Sequence, residues 1–274
     1  MDLKKKAEEL RKAVFKSICQ GGGGHIAGSL SITEILIVLY YKILKINPKK
    51  PKDPSRDRFI LSKGHAGVAL YAMLADKGFF PKTELDRFGR KGSILGGHPD
   101  MLKIPGIEAS TGSLGHGFGF GVGIALSGKL NKEDYRVFVL LGDGECQEGS
   151  IWEAAMFAPQ HKLDNLIVII DYNKIQAMDR LDNIVSLNPL VDKWKAFGWE
   201  VKEVDGHDFL SLEKVFKKVP FVKGKPSLII AHTIKGKGIS FMQNSPIWHY
   251  RLPNKEEMKI ACKDLRLEDY QEEL

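Results

Sequence analysis

Two residues able to bind a hard cation through oxygen stand at the ends of two apolar runs. Residues 137–141, V-F-V-L-L, deliver Gly142-Asp143-Gly144, and residues 166–170, L-I-V-I-I, deliver Asp171-Tyr172-Asn173. Runs of this length read as buried parallel strands, which would bring both tips to one sheet edge, the edge where open α/β sheets bind ligands. One carboxylate and one amide oxygen suit Mg²⁺, which keeps waters and phosphate oxygens as its other ligands. The glycines flanking Asp143 permit close backbone approach. Ser150 with Glu153 forms a capping-box pattern, opening a helix whose N-terminus favours a phosphate group. The stretch reads as a Mg-diphosphate cradle; an ordinary strand-end turn is the alternative, because Gly-Asp-Gly is a common turn sequence.

Histidines form the second set. Of eight in the chain, His25 follows the run Gly21-Gly22-Gly23-Gly24, His65 lies in S-K-G-H-A, His98 in G-G-H-P and His116 in T-G-S-L-G-H, with His207 in a similar turn. A lone histidine is usually structural, but junctions along one sheet edge converge, and imidazole binds hydroxyls and relays protons near neutral pH. A zinc cluster is the competing reading. No H-x-E or H-E-x-x-H spacing on a helix supports it.

Gly142-Asp143-Gly144, Gln147-Glu148-Gly149, Trp152-Glu153-Ala154 and the closing Asn173-Lys174-Ile175 resemble the thiamine diphosphate motif of the transketolase family, which opens on Gly-Asp-Gly and closes on Asn about thirty positions later. The resemblance implies that Asp143, Asn173 and the backbone carbonyl of Ile175 bind the metal. It also implies that Gly144 donates to the diphosphate. His25, His65 and His98 resemble the family's histidines that contact the diphosphate and the donor-sugar hydroxyls. Gly112 and Leu114, in Thr111-Gly112-Ser113-Leu114-Gly115, match the loop against the thiazolium and aminopyrimidine. His249 matches a late active-site histidine, although its flank is Trp-His-Tyr rather than His-Gly. His116 departs from the Gln common at its position, and His116, His232 and Lys235 carry no assigned role.

The matched motifs span nearly the whole chain but only the first third to half of a full-length transketolase. The domain holding the glutamate that protonates the aminopyrimidine has no counterpart here. The resemblance therefore implies the N-terminal subunit of a split transketolase, completed by a C-terminal subunit that supplies the pyrimidine-binding domain and the activating glutamate. Glu148, counted with the cofactor-binding residues, would face that partner, and two copies of each chain would form a heterotetramer. The implied activity is transfer of a two-carbon ketol unit from a ketose phosphate to an aldose phosphate, as in the pentose phosphate pathway, with thiamine diphosphate and Mg²⁺. The motifs leave open Ca²⁺ or Mn²⁺ as the metal. They also leave open a related enzyme resembling 1-deoxyxylulose 5-phosphate synthase, a ketolase for an unusual sugar, and a non-catalytic cofactor-binding subunit.

The elements that must position these residues follow from periodicity. Residues 2–20 space Leu3, Ala7, Leu10, Val14 and Ile18 as an amphipathic helix stopping at Gly21. Ser31 with Glu34 reads as a second capping box, starting an apolar helix through Leu44. Residues 58–61, 201–204 and 227–231 are further short strands, and helices are expected before Gly78 and over 189–197 and 211–218. Residues 79–109 read as a functional loop. Gly117, Gly119, Gly121 and Gly123 alternate in one helix, which predicts close approach of another backbone or subunit. Gly123 to Lys129 mimics a P-loop, but Leu130 stands where Ser or Thr is required. Strand and helix alternate, so the expected fold class is α/β, a mainly parallel sheet with helices on both faces, of the thiamine diphosphate-binding type. Residues 1–274 are expected to form one domain, with weaker signal in the acidic tail from about residue 250.

Composition agrees with a folded enzyme domain. At 274 residues and 43% hydrophobic content the chain can bury a large core. The net charge of +7 is spread over helices and loops with no nucleic-acid-binding motif, so it reads as a solvated surface with some attraction for phosphorylated substrates. Three scattered cysteines make neither a disulfide framework nor a zinc site. With no apolar targeting segment or membrane span, a cytoplasmic protein is expected.

Overall fold

The computed structural model describes residues 1–267. Helices α1 (Leu3–Gly21), α2 (Ile26–Leu30) and α3 (Thr33–Val38) precede strand β1 (Arg58–Leu61) and helix α4 (Gly67–Lys77). Helix α5 (His116–Leu130), strand β2 (Val137–Gly142), helix α6 (Gly149–Gln160) and strand β3 (Leu166–Tyr172) follow. The order then runs α7 (Leu181–Ile184), α8 (Leu190–Ala196), β4 (Glu200–Asp205), α9 (Phe209–Phe216), β5 (Ser227–His232) and α10 (Lys255–Asp264). The acidic residues at 268–274 lie outside the described residues.

All five strands are parallel, in the order β1-β2-β3-β5-β4. Side chains on a strand alternate between its faces, and here the alternation divides the core in two. Phe138, Leu140, Ile167, Ile169 and Ile229 face the layer built by α1–α4 and α9. Val139, Leu141, Val168, Ile170 and Ile230 face α5, α6 and α8. Covered on both sides, β2 and β3 are buried at every residue, which is why they read as unbroken apolar runs. The edge strand β4 instead buries only Val201 and Val204, one toward each half of the core.

Parallel register brings the strand ends to one level. Gly142 pairs with Asp171, and Tyr172 with His232. The segments leaving β1, β2, β3 and β5 therefore emerge side by side, and they carry His65, Asp143, Asn173 and Lys235 respectively.

Neither expected capping box forms. Ser31 Oγ donates to Asp171 Oδ2 at 2.7 Å, with Gly28 O 3.1 Å away, so Ile32 occupies the N-cap of α3 without a side-chain bond. The expected helix through Leu44 is instead α3 followed by a π-helical turn over Leu39–Ile43, and the separate short helix α2 precedes it. Glu34 is drawn to Arg11 and His207 instead. Similarly, α6 starts at Gly149 after a 3-10 turn, with Glu148 at an N-cap that makes no side-chain bond.

The alternating glycines of α5 divide by face. A Cβ on Gly117 would lie 2.7 Å from Ser62 Cα, and one on Gly121 2.4 Å from Val139 Cγ2, so the helix rests directly on the sheet. Gly119 and Gly123 meet nothing within 4 Å.

Candidate active site

One cleft of about 370 Å³ lies at the carboxyl ends of the strands. Among its lining residues are His25, His65, His98, His249, Gly112, Leu114, Asp143, Gly144, Glu148, Asn173 and Ile175, together with Lys63, Gln176 and Lys235. Every site residue expected from the sequence is thus placed in one space, drawn from seven separate stretches of chain.

The histidines cluster. The ring of His25 lies 5.1 Å from that of His65, 5.0 Å from His249 and 6.2 Å from His98, and His65 and His249 are 5.4 Å apart. Burial, then His98 and the Lys63 and Lys235 charges, lower the His25 pKa to about 4. Burial and Lys235 take His249 to about 3, and burial with Lys63 holds His65 well below its ordinary value. These three imidazoles are neutral at pH 7, able to donate through one nitrogen and accept through the other.

At the opposite wall, Asp143 accepts from Gly144 N at 2.7 Å and from Lys174 N. Burial, reinforced by the charge of Asp171, pushes the Asp143 carboxyl up to about 7. Asn173 Oδ1 accepts from Ile175 N at 3.1 Å. Lys235, almost fully buried, donates to Ile175 O at 3.1 Å and Gln176 O at 2.8 Å and lies 3.2 Å from His249 Nδ1. Burial, with repulsion from Lys63, lowers its pKa to about 8. A carboxyl resisting ionisation and an amine resisting protonation share one cleft. A divalent cation bound to an anionic diphosphate would stabilise the charged form of each, so the donor set fits that group.

Other groups hold the walls. Buried Glu145 accepts from Gly115 N at 2.9 Å and Gly142 N at 3.0 Å and bonds Ser62 Oγ, tying together the loop at residues 111–115 and the ends of β1 and β2. Lys63 pairs with Asp171 at 2.5 Å. The sequence pattern assigns neither residue a role, although a lysine at a strand end before Gly-His is a signal available in S-K-G-H. Two other glycine-flanked histidines lie outside the cleft. His116 is exposed, and its Nδ1 is 3.2 Å from Leu114 O. His207 is a brace: Nδ1 bonds Glu34 at 2.9 Å, and Nε2 accepts from Ile234 N at 2.8 Å.

Residues 3–271 match the family model described as "Transketolase, thiamine diphosphate binding domain". The chain belongs to this transketolase family. It is 43% identical over 273 residues, covering 99% of itself and 97% of the relative, to one of the subunits of an apulose-4-phosphate transketolase from Phocaeicola vulgatus. Identity reaches 45% over 268 residues, 98% of each chain, with a 6-deoxy-6-sulfo-D-fructose transketolase subunit from a Clostridium strain. The solved transketolase of Campylobacter jejuni superposes with a TM-score of 0.90 at 32% identity, covering 97% of this chain and 43% of that one. This transketolase-family chain thus spans less than half the length of that solved relative and nearly all of the two subunits. Among the described residues, no helix is long and apolar enough to cross a membrane.

Proposed function

We propose that this chain is the thiamine diphosphate- and Mg²⁺-binding subunit of a two-chain transketolase, transferring a two-carbon ketol unit from a ketose phosphate to an aldose phosphate. The observation that carries the reading is the convergence of His25, His65, His98, His249, Asp143, Asn173 and Lys235 in one cleft. When bound, thiamine diphosphate supplies the electron sink for cleaving the bond between C2 and C3 of the ketose. Asp143 Oδ, Asn173 Oδ1 and Ile175 O would hold the metal, each having lone pairs beyond those used within the chain. Lys235, the Gly144 N–H and His65 would hold the diphosphate. Gly112 and Leu114 would lie along the rings. The neutral imidazoles of His25 and His249, with His98, would orient donor hydroxyls and carry protons to and from them.

Glu148 is exposed at the cleft rim, where a second chain would bring the group acting on the aminopyrimidine. The near-equal length of this chain and two relatives named as subunits supports a partner subunit. Two copies of each chain is the assembly we infer, in the cytoplasm.

A second reading concerns the donor. Both subunit-length relatives carry names of unusual sugars, apulose 4-phosphate and 6-deoxy-6-sulfofructose, which favours a ketolase for a substrate of that kind. The test is to purify the chain alone and with the polypeptide encoded beside it, add thiamine diphosphate and Mg²⁺, and assay ketol transfer from xylulose 5-phosphate, apulose 4-phosphate and 6-deoxy-6-sulfofructose. Activity is expected only in the mixture. Turnover by the chain alone overturns the two-chain reading, and preference for either unusual donor selects the second.

A further inference from the structure

Four stretches that bring functional side chains to the cleft meet on one carboxylate. Asp171, fully buried at the end of β3, accepts through Oδ2 from Ser31 Oγ at 2.7 Å, Lys63 Nζ at 2.5 Å and Asn173 Nδ2 at 3.0 Å. Its Oδ1 accepts from Thr233 Oγ1. Each donor stands close to a cleft residue. Ser31 follows α2, which His25 precedes; Lys63 lies two residues before His65; Thr233 lies two before Lys235. Lys63 Nζ also donates to Gly28 O at 3.0 Å, and the His65 ring packs so near Gly28 that a Cβ there would be 3.3 Å from it.

The contact with Asn173 has a chemical consequence. A side-chain amide presents either oxygen or NH₂ after a simple flip, and only the oxygen binds a cation. Asp171 accepts only, so it holds Nδ2, while Ile175 N–H donates to Oδ1 at 3.1 Å. The Lys63 ammonium and the Ser31 and Thr233 hydroxyls all direct donors at the Asp171 carboxyl, so it meets the amide as an acceptor.

We propose that Asp171 is a positioning residue for the metal end of the site, fixing the Asn173 amide so that its oxygen faces the cation. The role rests on the cleft being a Mg-thiamine diphosphate site. Lys63 neutralises the buried carboxylate, and its removal together with Asp171 leaves an apolar pair of similar volume, a replacement that folds tolerate.

The test uses the full chain assembled with its second polypeptide, comparing Lys63→Met with the double variant Lys63→Met/Asp171→Leu. Mg²⁺ is titrated at fixed thiamine diphosphate with tryptophan fluorescence as readout, and unfolding temperature is measured on the same samples. The double variant is expected to raise the apparent Kd for Mg²⁺ by about 10–100-fold, the range for losing an outer partner of a metal ligand. Lys63→Met alone, which strips the carboxylate of its cation but leaves its oxygens, should weaken Mg²⁺ binding by less than the double variant does, and thiamine diphosphate affinity at saturating Mg²⁺ should hold within about threefold in both. An unchanged Kd for Mg²⁺ in the double variant, or parallel loss of metal affinity, cofactor affinity and unfolding temperature, overturns the role. Should the double variant fail to fold, Asn173→Asp decides. It adds a charged ligand but removes the donor to Asp171, so weaker Mg²⁺ binding is expected and tighter binding overturns the proposal. Absence of Mg²⁺-dependent loading in the unaltered chain overturns the cofactor reading itself, and this role with it.

Discussion

Asp143 and Asp171 stand at the ends of adjacent paired strands, both buried, yet the chain treats them oppositely. Asp171 receives an ammonium, two hydroxyls and an amide, which together outweigh burial and hold it ionised. Asp143 receives two backbone N–H groups and, among the described residues, no cation, and burial lifts its carboxyl to about 7. A desolvated carboxylate whose charge is matched inside the chain is scaffold; one left unmatched is suited to an external cation. The difference lies in the partners each side chain meets, not in depth.

The sharpest attack on this contrast removes the unmatched member. Asp143→Ala should abolish Mg²⁺-dependent thiamine diphosphate binding while leaving the fold intact, checked by calorimetric titration beside circular dichroism; unchanged binding would erase the distinction. Removing the cation that matches the other aspartate acts on stability instead. Lys63→Met should cost about 3–5 kcal/mol in chemical denaturation, because it strands a buried carboxylate. A loss under about 1 kcal/mol would mean that the pair is not buried as described.

Acid should distinguish the two aspartates further. The folded-state pKa of Asp143 is raised above its unfolded value, so between about pH 4 and 7 the apo fold binds more protons than the unfolded chain and loses stability as pH rises through that window. A metal needs the ionised form. Mg²⁺ affinity should therefore fall by up to about tenfold per pH unit below about pH 7, in titrations at stepped pH. A flat profile would contradict the raised value. The smallest effect is expected at the exposed pair His232–Glu203, 2.7 Å apart at the outer edge of the sheet. His232→Ala should change stability by less than about 0.5 kcal/mol.

Much of this was legible in the sequence. The apolar runs of β2 and β3 marked two central strands, and their polar tips pointed to the edge that carries Asp143 and Asn173. Local patterns failed where a distant partner captured a side chain. Ser31 and Glu34 match a capping box, but their oxygens serve Asp171, Arg11 and His207. Lys63 and Ser62 meet their carboxylates 108 and 83 positions away, distances over which no spacing rule operates. His116 and His207 share the glycine-flanked context of the cleft histidines, and only the tertiary placement sends one outward and the other behind the site.

The strand order has a consequence for synthesis. Because β5 lies between β3 and β4, strand β4 leaves the ribosome before the neighbour that joins it to the sheet exists. Until then it is an orphan strand with both ladder edges free, the kind of segment that pairs with other chains. Its sequence, E-V-K-E-V-D, places a charge at four of six positions. Those charges, of little use to a finished core, discourage nascent chains from joining through β4 while it waits.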